Sequence, residues 1–281
     1  MLRSSGMNRV SSGRQYGEPG RDAVVLMHGY TGHAHMFHHL ANTLGRTYHV
    51  ICPDALGRGF SSWVDRDHQS YTLALLADQI ERLLDAERID RVRWLGTSMG
   101  GMIGLFLAGG SMRERITHLA LNDIGPTLPA SPEELARPAA ERRDNSVFPT
   151  FSAFDQFFRG SVEAVYAKRV DDEWWAQYSG PLVRRGPKGE FLAHYDPNIL
   201  VDFLAFLAGY DLWPAYRALG CRLMIIHGDA SAYLTDSLYQ RMRSERSPDA
   251  ILEMPGTGHA PLLSSSVEIE AVERFFAMNV A

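Results

Sequence analysis

The sequence predicts an α/β protein: a mostly parallel central sheet with helices on both faces and one inserted helical segment. Three observations carry this. Short apolar runs alternate with longer amphipathic ones, the pattern of strands joined by crossover helices. The short runs are apolar almost without interruption, as strands buried on both faces require. The alternation breaks once, from about residue 125 to 214.

Taken in order, Ala23–His28 (AVVLMH), Tyr48–Cys52 (YHVIC) and Val92–Gly96 (VRWLG) read as strands. Ile116–Asn122 (ITHLALN), Arg222–His227 (RLMIIH) and Ala250–Met254 (AILEM) continue the series. Tyr71–Ala86 places Leu73, Leu75, Leu76, Ile80, Leu83 and Leu84 at helical spacing. His35–Leu44, Met99–Ala108 and Val267–Met278 also read as helices. The break divides the chain into a core of residues 1–125 and 215–281 and an insertion of residues 126–214. Between Gly125 and Pro214 the pattern is helical, with no strand series, and the stretch holds 15 of the 29 aromatic residues. That is enough to build a small core of its own, from Phe148, Phe151, Phe154, Phe157, Phe158, Trp174, Trp175 and Tyr178. Some of these rings are also expected to line an apolar pocket.

Composition narrows the function classes. At 281 residues and 45% hydrophobic, the chain can bury one large core. Its net charge of −5 argues against a surface built to neutralise nucleic-acid phosphates or anionic lipid. No apolar run approaches the roughly 18–20 residues that cross a bilayer, and Met1–Gly20 has no apolar segment of the secretory kind. Cys52 and Cys221 lie at or beside predicted buried strands and read as reduced core residues. A soluble, cytoplasmic protein is the expectation. Neither GxxxxGK[ST] nor GxGxxG occurs, so no standard nucleotide-phosphate loop is expected.

Gly96-Thr97-Ser98-Met99-Gly100-Gly101 follows a predicted strand and opens a predicted helix. G-x-S-x-G in that setting describes a nucleophile elbow. Its glycines allow a turn too sharp for a Cβ, and the helix N-terminus supplies peptide N–H groups and a positive dipole end beside Ser98. A serine hydroxyl needs an adjacent base to become a nucleophile. Three further segments then appear in order: His28-Gly29-Tyr30-Thr31-Gly32, Pro53-Asp54-Ala55-Leu56-Gly57-Arg58-Gly59-Phe60-Ser61, and Gly256-Thr257-Gly258-His259-Ala260-Pro261. Together with the elbow they resemble the HGxxG loop, the PDxxGxGxS turn and the histidine loop of the α/β-hydrolase superfamily. The resemblance spans roughly residues 23 to 278.

The resemblance implies the α/β-hydrolase fold, with the insertion as a helical cap (lid) over the site. It implies Ser98 as nucleophile, His259 as base, and an oxyanion hole made by the backbone N–H groups of Tyr30 and Met99. It implies no cofactor and no metal. The triad acid is left open between two places. After the strand that follows the cap stands His227-Gly228-Asp229-Ala230-Ser231-Ala232-Tyr233-Leu234, similar to the family's RGxxSDxL pattern with Ala232 where the acid belongs. Asp229 comes early, and Asp236 falls in the following helix. After the strand preceding the cap stands Leu121-Asn122-Asp123-Ile124, where some family members carry the acid. Asp123 is the leading candidate, Asp229 the alternative, and a site with no functional acid the third reading.

His33, His35, His38 and His39 cluster after the HGxxG loop, with His35 and His39 four apart. No Glu lies between them as in HExxH, so a polar helix surface near the pocket mouth is expected. Asp54 is expected to fix its turn. The resulting reading is a cofactor-independent, carboxylesterase-like serine hydrolase acting on an ester, lactone or thioester with an apolar part. The elbow is also similar to that of enol-lactonases. The competing readings are a cofactor-free lyase or oxygenase using the same Ser–His pair, and a non-catalytic small-ligand-binding protein, since one fold hosts many functions.

Overall fold

A computed structural model describes residues 4–6, 9–65, 67, 69–129, 147–207 and 209–280. All six expected strands are present, with a seventh at one edge. In chain order they are β1 (Gly13–Tyr16), β2 (Ala23–Met27), β3 (His49–Pro53), β4 (Val92–Thr97), β5 (Ile116–Asn122), β6 (Arg222–Gly228) and β7 (Ala250–Met254). Their order across the sheet is β7-β6-β5-β4-β2-β3-β1. Every pairing is parallel except β1 with β3. The edge strand β1 reads Gly-Arg-Gln-Tyr, too short and too polar to show a strand period.

The strands alternate between two apolar layers, as a period of two demands. Val24 and Leu26 face one layer with Val50, Leu95, Ala120 and Ile226. Helices α1 (His38–Leu44) and α10 (Ser266–Phe276) close that layer through Leu40, Leu44, Val272 and Phe275. Val25 and Met27 face the other, with Trp94, Leu119 and Leu223. It is covered by α2 (Leu73–Ala86) and α3 (Met99–Ala108), and by α9 (Asp236–Glu245) after the insertion. Helix starts follow local chemistry. Thr72 and Thr235 cap α2 and α9 through their hydroxyls. Ser265 and Glu268 form a reciprocal capping box at α10. The expected helix from His35 splits into a 3-10 turn, Ala34–Phe37, and α1.

Between β5 and β6 the chain leaves the sheet. It forms α4 (Phe151–Tyr166), α5 (Asp172–Ser179), α6 (Asn198–Val201), α7 (Phe203–Leu207) and α8 (Trp213–Arg217). It also forms a three-stranded antiparallel ribbon of Val147–Phe148, Phe191–Ala193 and Val183–Arg185. The sequence reading expects no strands here, and the structure corrects it: strands of two or three residues carry no readable period. Residues 130–146 of the expected insertion lie outside the described residues. Phe148, Phe154, Phe157 and Phe158 pack on one another, with Phe154 and Phe158 rings 4.5 Å apart. Trp174 stacks on Tyr178 at 4.6 Å. The insertion rests on loops at the C-terminal edge of the parallel strands: Tyr166 and Lys168 touch the loop after β7, His194 and Asp196 the loop after β3.

Cys52 and Cys221 are buried and free. Among the described residues no helix is long and apolar enough to cross a membrane.

Candidate active site

Sheet register brings the expected residues together. Thr97 of β4 pairs with Asn122 of β5, which pairs with Ile226 of β6. The next residues, Ser98 and Asp123, therefore leave adjacent strands at one level. Two bonds extend the ladder past the strand ends: Ser98 N–H to Asn122 O at 3.0 Å, and Asp123 N–H to Ile226 O at 2.8 Å. Both residues turn into the left-handed region, φ 51° and 57°, a conformation that non-glycine residues adopt rarely and often at functional sites. The elbow's flanks admit nothing larger than hydrogen. A Cβ on Gly96 would lie 2.1 Å from the Gly100 carbonyl carbon, and one on Gly100 2.0 Å from Met27 O.

Ser98 Oγ stands 2.8 Å from His259 Nε2, and His259 Nδ1 stands 2.7 Å from Asp123 Oδ2. With Nδ1–H donating to the carboxylate, Nε2 is left with its lone pair toward the serine hydroxyl. That is the geometry in which an imidazole accepts a hydroxyl proton. Asp123 is fully buried, and three donors hold it: His259 Nδ1, Gly228 N at 3.0 Å on Oδ1, and Ser231 Oγ at 2.5 Å on Oδ2. The alternative, Asp229, accepts from Gly256 N at 2.6 Å in an exposed turn, and Asp236 begins α9. Of the carboxylates weighed, Asp123 is the one hydrogen-bonded to His259.

The histidine loop is fastened from several sides. Buried Asn122 donates to both Thr97 Oγ1 and Pro261 O, each at 2.9 Å. Gly258 N donates to Tyr166 O at 2.7 Å, and Lys168 Nζ donates to Pro255 O and Thr257 Oγ1. The Tyr233 ring stacks on His259, centroids 4.1 Å apart. Buried Glu268 accepts from Leu263 N and Ser264 N. Sequence reasoning missed these supports. Ser231 alone had a visible signal, as the serine of the loop whose acid is replaced by Ala232.

Tyr30 lies in the loop facing the elbow, where a Cβ on the preceding Gly29 would sit 3.8 Å from Ser98 Cβ. Its hydroxyl donates to Ile199 O at 2.5 Å and its carbonyl accepts from Arg58 Nε at 2.9 Å. Met99 is the first residue of α3, so its amide is among the four at a helix start without an intrahelical acceptor. His28 holds the Gly29 carbonyl, with Nδ1 2.7 Å from Gly29 O, and its Nε2 accepts from Ala55 N. Asp54 accepts from Ser12 Oγ and Ala34 N, each at 2.8 Å, and so fastens its turn to two neighbouring segments.

His33 is buried, its Nδ1 accepts from His35 N, and its ring stacks on Tyr178. His35 packs on His38, and His38 on His39. Among the described residues no group of three potential ligands stands at metal-holding distance. Burial lowers the His28 and His35 pKa values to about 4 and pulls His33 down as well. These rings are neutral when folded, whereas the unfolded chain takes up protons below about pH 6.5. Their stabilisation is therefore complete above that pH and lost as pH falls toward 4. Chemical-denaturation midpoints at pH 7, 5.5 and 4.5 are expected to fall in that order; a flat series would contradict it.

The comparisons with known proteins agree with this architecture. A family model described as the alpha/beta hydrolase family matches residues 24–272. The chain is 29% identical to a 3-hydroxybutyrate-oligomer hydrolase of Cupriavidus necator, over 97% of this chain and 94% of that one. It is 26% identical to a pimeloyl-[acyl-carrier protein] methyl ester esterase of Chromobacterium violaceum, over 86% and 88%. A crystal structure of an alpha/beta hydrolase from Novosphingobium aromaticivorans superposes with a TM-score of 0.81 at 28% identity, covering 98% of this chain and 95% of that one. With fold, loop order and family match in agreement over nearly its whole length, the chain belongs to the alpha/beta hydrolase family.

Proposed function

We propose that the protein is a serine hydrolase cleaving a carboxylic ester with an apolar part through an acyl-enzyme, with residues 126–214 serving as the cap of its site. The observation that carries this is the hydrogen-bonded series Ser98–His259–Asp123. In the first half-reaction Ser98 Oγ attacks the ester carbonyl as His259 takes its proton. The oxyanion is held by the amides of Tyr30 and Met99. His259 then protonates the leaving alcohol, and the C–O bond breaks. In the second half, water gives its proton to His259 and attacks the acyl-enzyme, which releases the acid and restores Ser98. Asp123 keeps the imidazole in the required tautomer and stabilises it when charged.

The near full-length similarity to a 3-hydroxybutyrate-oligomer hydrolase makes short hydroxy-acid ester oligomers the first substrates to assay. The test pairs those oligomers and p-nitrophenyl esters of increasing chain length with a fluorophosphonate probe. Turnover together with one probe per chain, mapped to Ser98, supports the reading. Ligand binding with neither labelling nor turnover refutes it.

The cap role makes its own prediction. Phe203 and Phe206 of α7 pack edge-on against Tyr30, at 4.7 and 5.2 Å, whereas Trp174 and Trp175 are buried within the insertion. Phe203→Ala is expected to change the kcat/KM ratio of octanoate to butyrate esters by about tenfold or more, since one methylene is worth roughly 1–3 kcal/mol. Trp175→Ala is expected to cost stability instead, about 3–5 kcal/mol. An unchanged chain-length profile in Phe203→Ala would remove α7 from the specificity surface.

A further inference from the structure

We propose that Arg58 is a positioning residue for the oxyanion hole: its buried guanidinium clamps together the two segments whose amides flank Ser98. The proposal rests on the serine-hydrolase reading above. Arg58 is fully buried. Its Nε donates to Tyr30 O at 2.9 Å, its Nη1 to Leu56 O at 2.7 Å, and its Nη2 lies 3.5 Å from Met99 Sδ. The guanidinium also stands over the Tyr30 ring, 4.8 Å from its centroid. One side chain thus touches both residues assigned to the oxyanion hole, across 28 and 41 positions of sequence.

The turn that carries Arg58 is held without this side chain. Gly57 N bonds Ser62 O, Ser61 N bonds Arg58 O, Ser61 Oγ bonds Asp54 O, and Gln79 bonds both Leu56 N and Asp54 O. A buried cation is costly unless paired, yet among the described residues Arg58 makes no ion pair. Asp196, whose charge acts on it, already accepts from Tyr71 OH on Oδ2 and from Asn198 on Oδ1. Of five N–H donors, the contacts engage three, one of them on a weakly accepting sulfur. The guanidinium stays charged at neutral pH. In the resting site Asp196 and the Tyr30 and Tyr71 rings act on that charge, with no contact ion pair among the described residues. The reaction adds an oxyanion at the amides of the two residues the side chain touches. In a water-excluded site such a fixed charge acts strongly and needs no reorganisation during the reaction. The pinned Tyr30 carbonyl also sets the orientation of the loop that offers the Tyr30 amide.

The test compares the parent with Arg58→Met and Arg58→Lys. It measures kcat and KM on p-nitrophenyl butyrate, melting temperature, and affinity for two ligands of one skeleton. A trifluoromethyl ketone forms a tetrahedral adduct with an oxyanion; the corresponding secondary alcohol forms none. Arg58→Met is expected to lower kcat about 100-fold, the scale of losing one oxyanion donor, with KM within about threefold. Trifluoromethyl-ketone affinity should fall in parallel with kcat while alcohol affinity holds, and Arg58→Lys should recover part of both. Folded variants that keep kcat and ketone affinity, or that lose both ligands equally, overturn the clamp. If Arg58→Met does not fold, Arg58→Lys carries the same comparison, with an expected loss of about tenfold. A parent that forms no adduct at Ser98 overturns the serine-hydrolase reading and the clamp with it. An adduct-forming parent with indifferent variants overturns the clamp alone.

Discussion

Ser98→Ala is expected to abolish ester hydrolysis and leave the protein folded. The change removes Oγ, the atom 2.8 Å from His259 Nε2, and no other hydroxyl takes its place on the elbow. Removing the nucleophile of a serine hydrolase costs about 10⁶ in kcat, because nucleophile and base act as a unit. The fold should survive because the elbow depends on its glycines and backbone. Gly96 and Gly100 make the close approaches, and the Ser98 N–H bond to Asn122 O is a main-chain bond. Alanine meets the same backbone constraint at φ 51° that serine already meets. Circular dichroism and melting temperature should match the parent, and intact-mass analysis should show no fluorophosphonate adduct. Residual hydrolysis within about tenfold of the parent would remove Ser98 from the mechanism.

What could be read from the sequence follows from how local each constraint is. The elbow, the HGxxG loop and the histidine loop are contiguous, because each depends on glycines at fixed offsets around one functional residue. The buried strands show as apolar runs, since both faces are covered. The edge strand β1 does not, because it is short and polar. Asp123 and Asp229 could not be separated on composition. The choice turns on register, with Thr97, Asn122 and Ile226 in line across three strands. No linear motif carries that alignment. Arg58 and Lys168 were invisible as supports for the same reason. Apart from Leu56 O, their partners lie 28 to 89 positions away, and an arginine in a turn or a lysine after a helix has no distinctive spacing. Ser231 is the intermediate case. Its loop was recognisable, but its bond to a carboxylate 108 positions earlier was not.

Asp123→Asn is expected to lower kcat by about 10⁴-fold, as the corresponding carboxylate-to-amide change does in a serine protease, with the fold retained. The hydrogen bonds show why the amide fails. Asp123 Oδ1 accepts from Gly228 N, a backbone donor that cannot reverse its role. Oδ2 accepts from Ser231 Oγ and His259 Nδ1. The imidazole can turn acceptor, and the Ser231 hydroxyl, which already accepts from Tyr233 N and Leu234 N, can turn its proton elsewhere. The asparagine oxygen therefore takes the Oδ1 place, and its NH₂ faces Ser231 and His259. His259 Nδ1 must then accept, which moves the ring proton to Nε2, against Ser98 Oγ. In that tautomer the imidazole has no lone pair for the serine proton, and the buried site also loses the charge that stabilises imidazolium. Asp229→Asn changes only an exposed carboxylate that accepts from Gly256 N, so its kcat should stay within about threefold of the parent. Steady-state kinetics on one p-nitrophenyl ester, with the proteins matched by melting temperature, separates the two variants. Near-parental turnover in Asp123→Asn, or a larger loss in Asp229→Asn, would displace Asp123 as the acid.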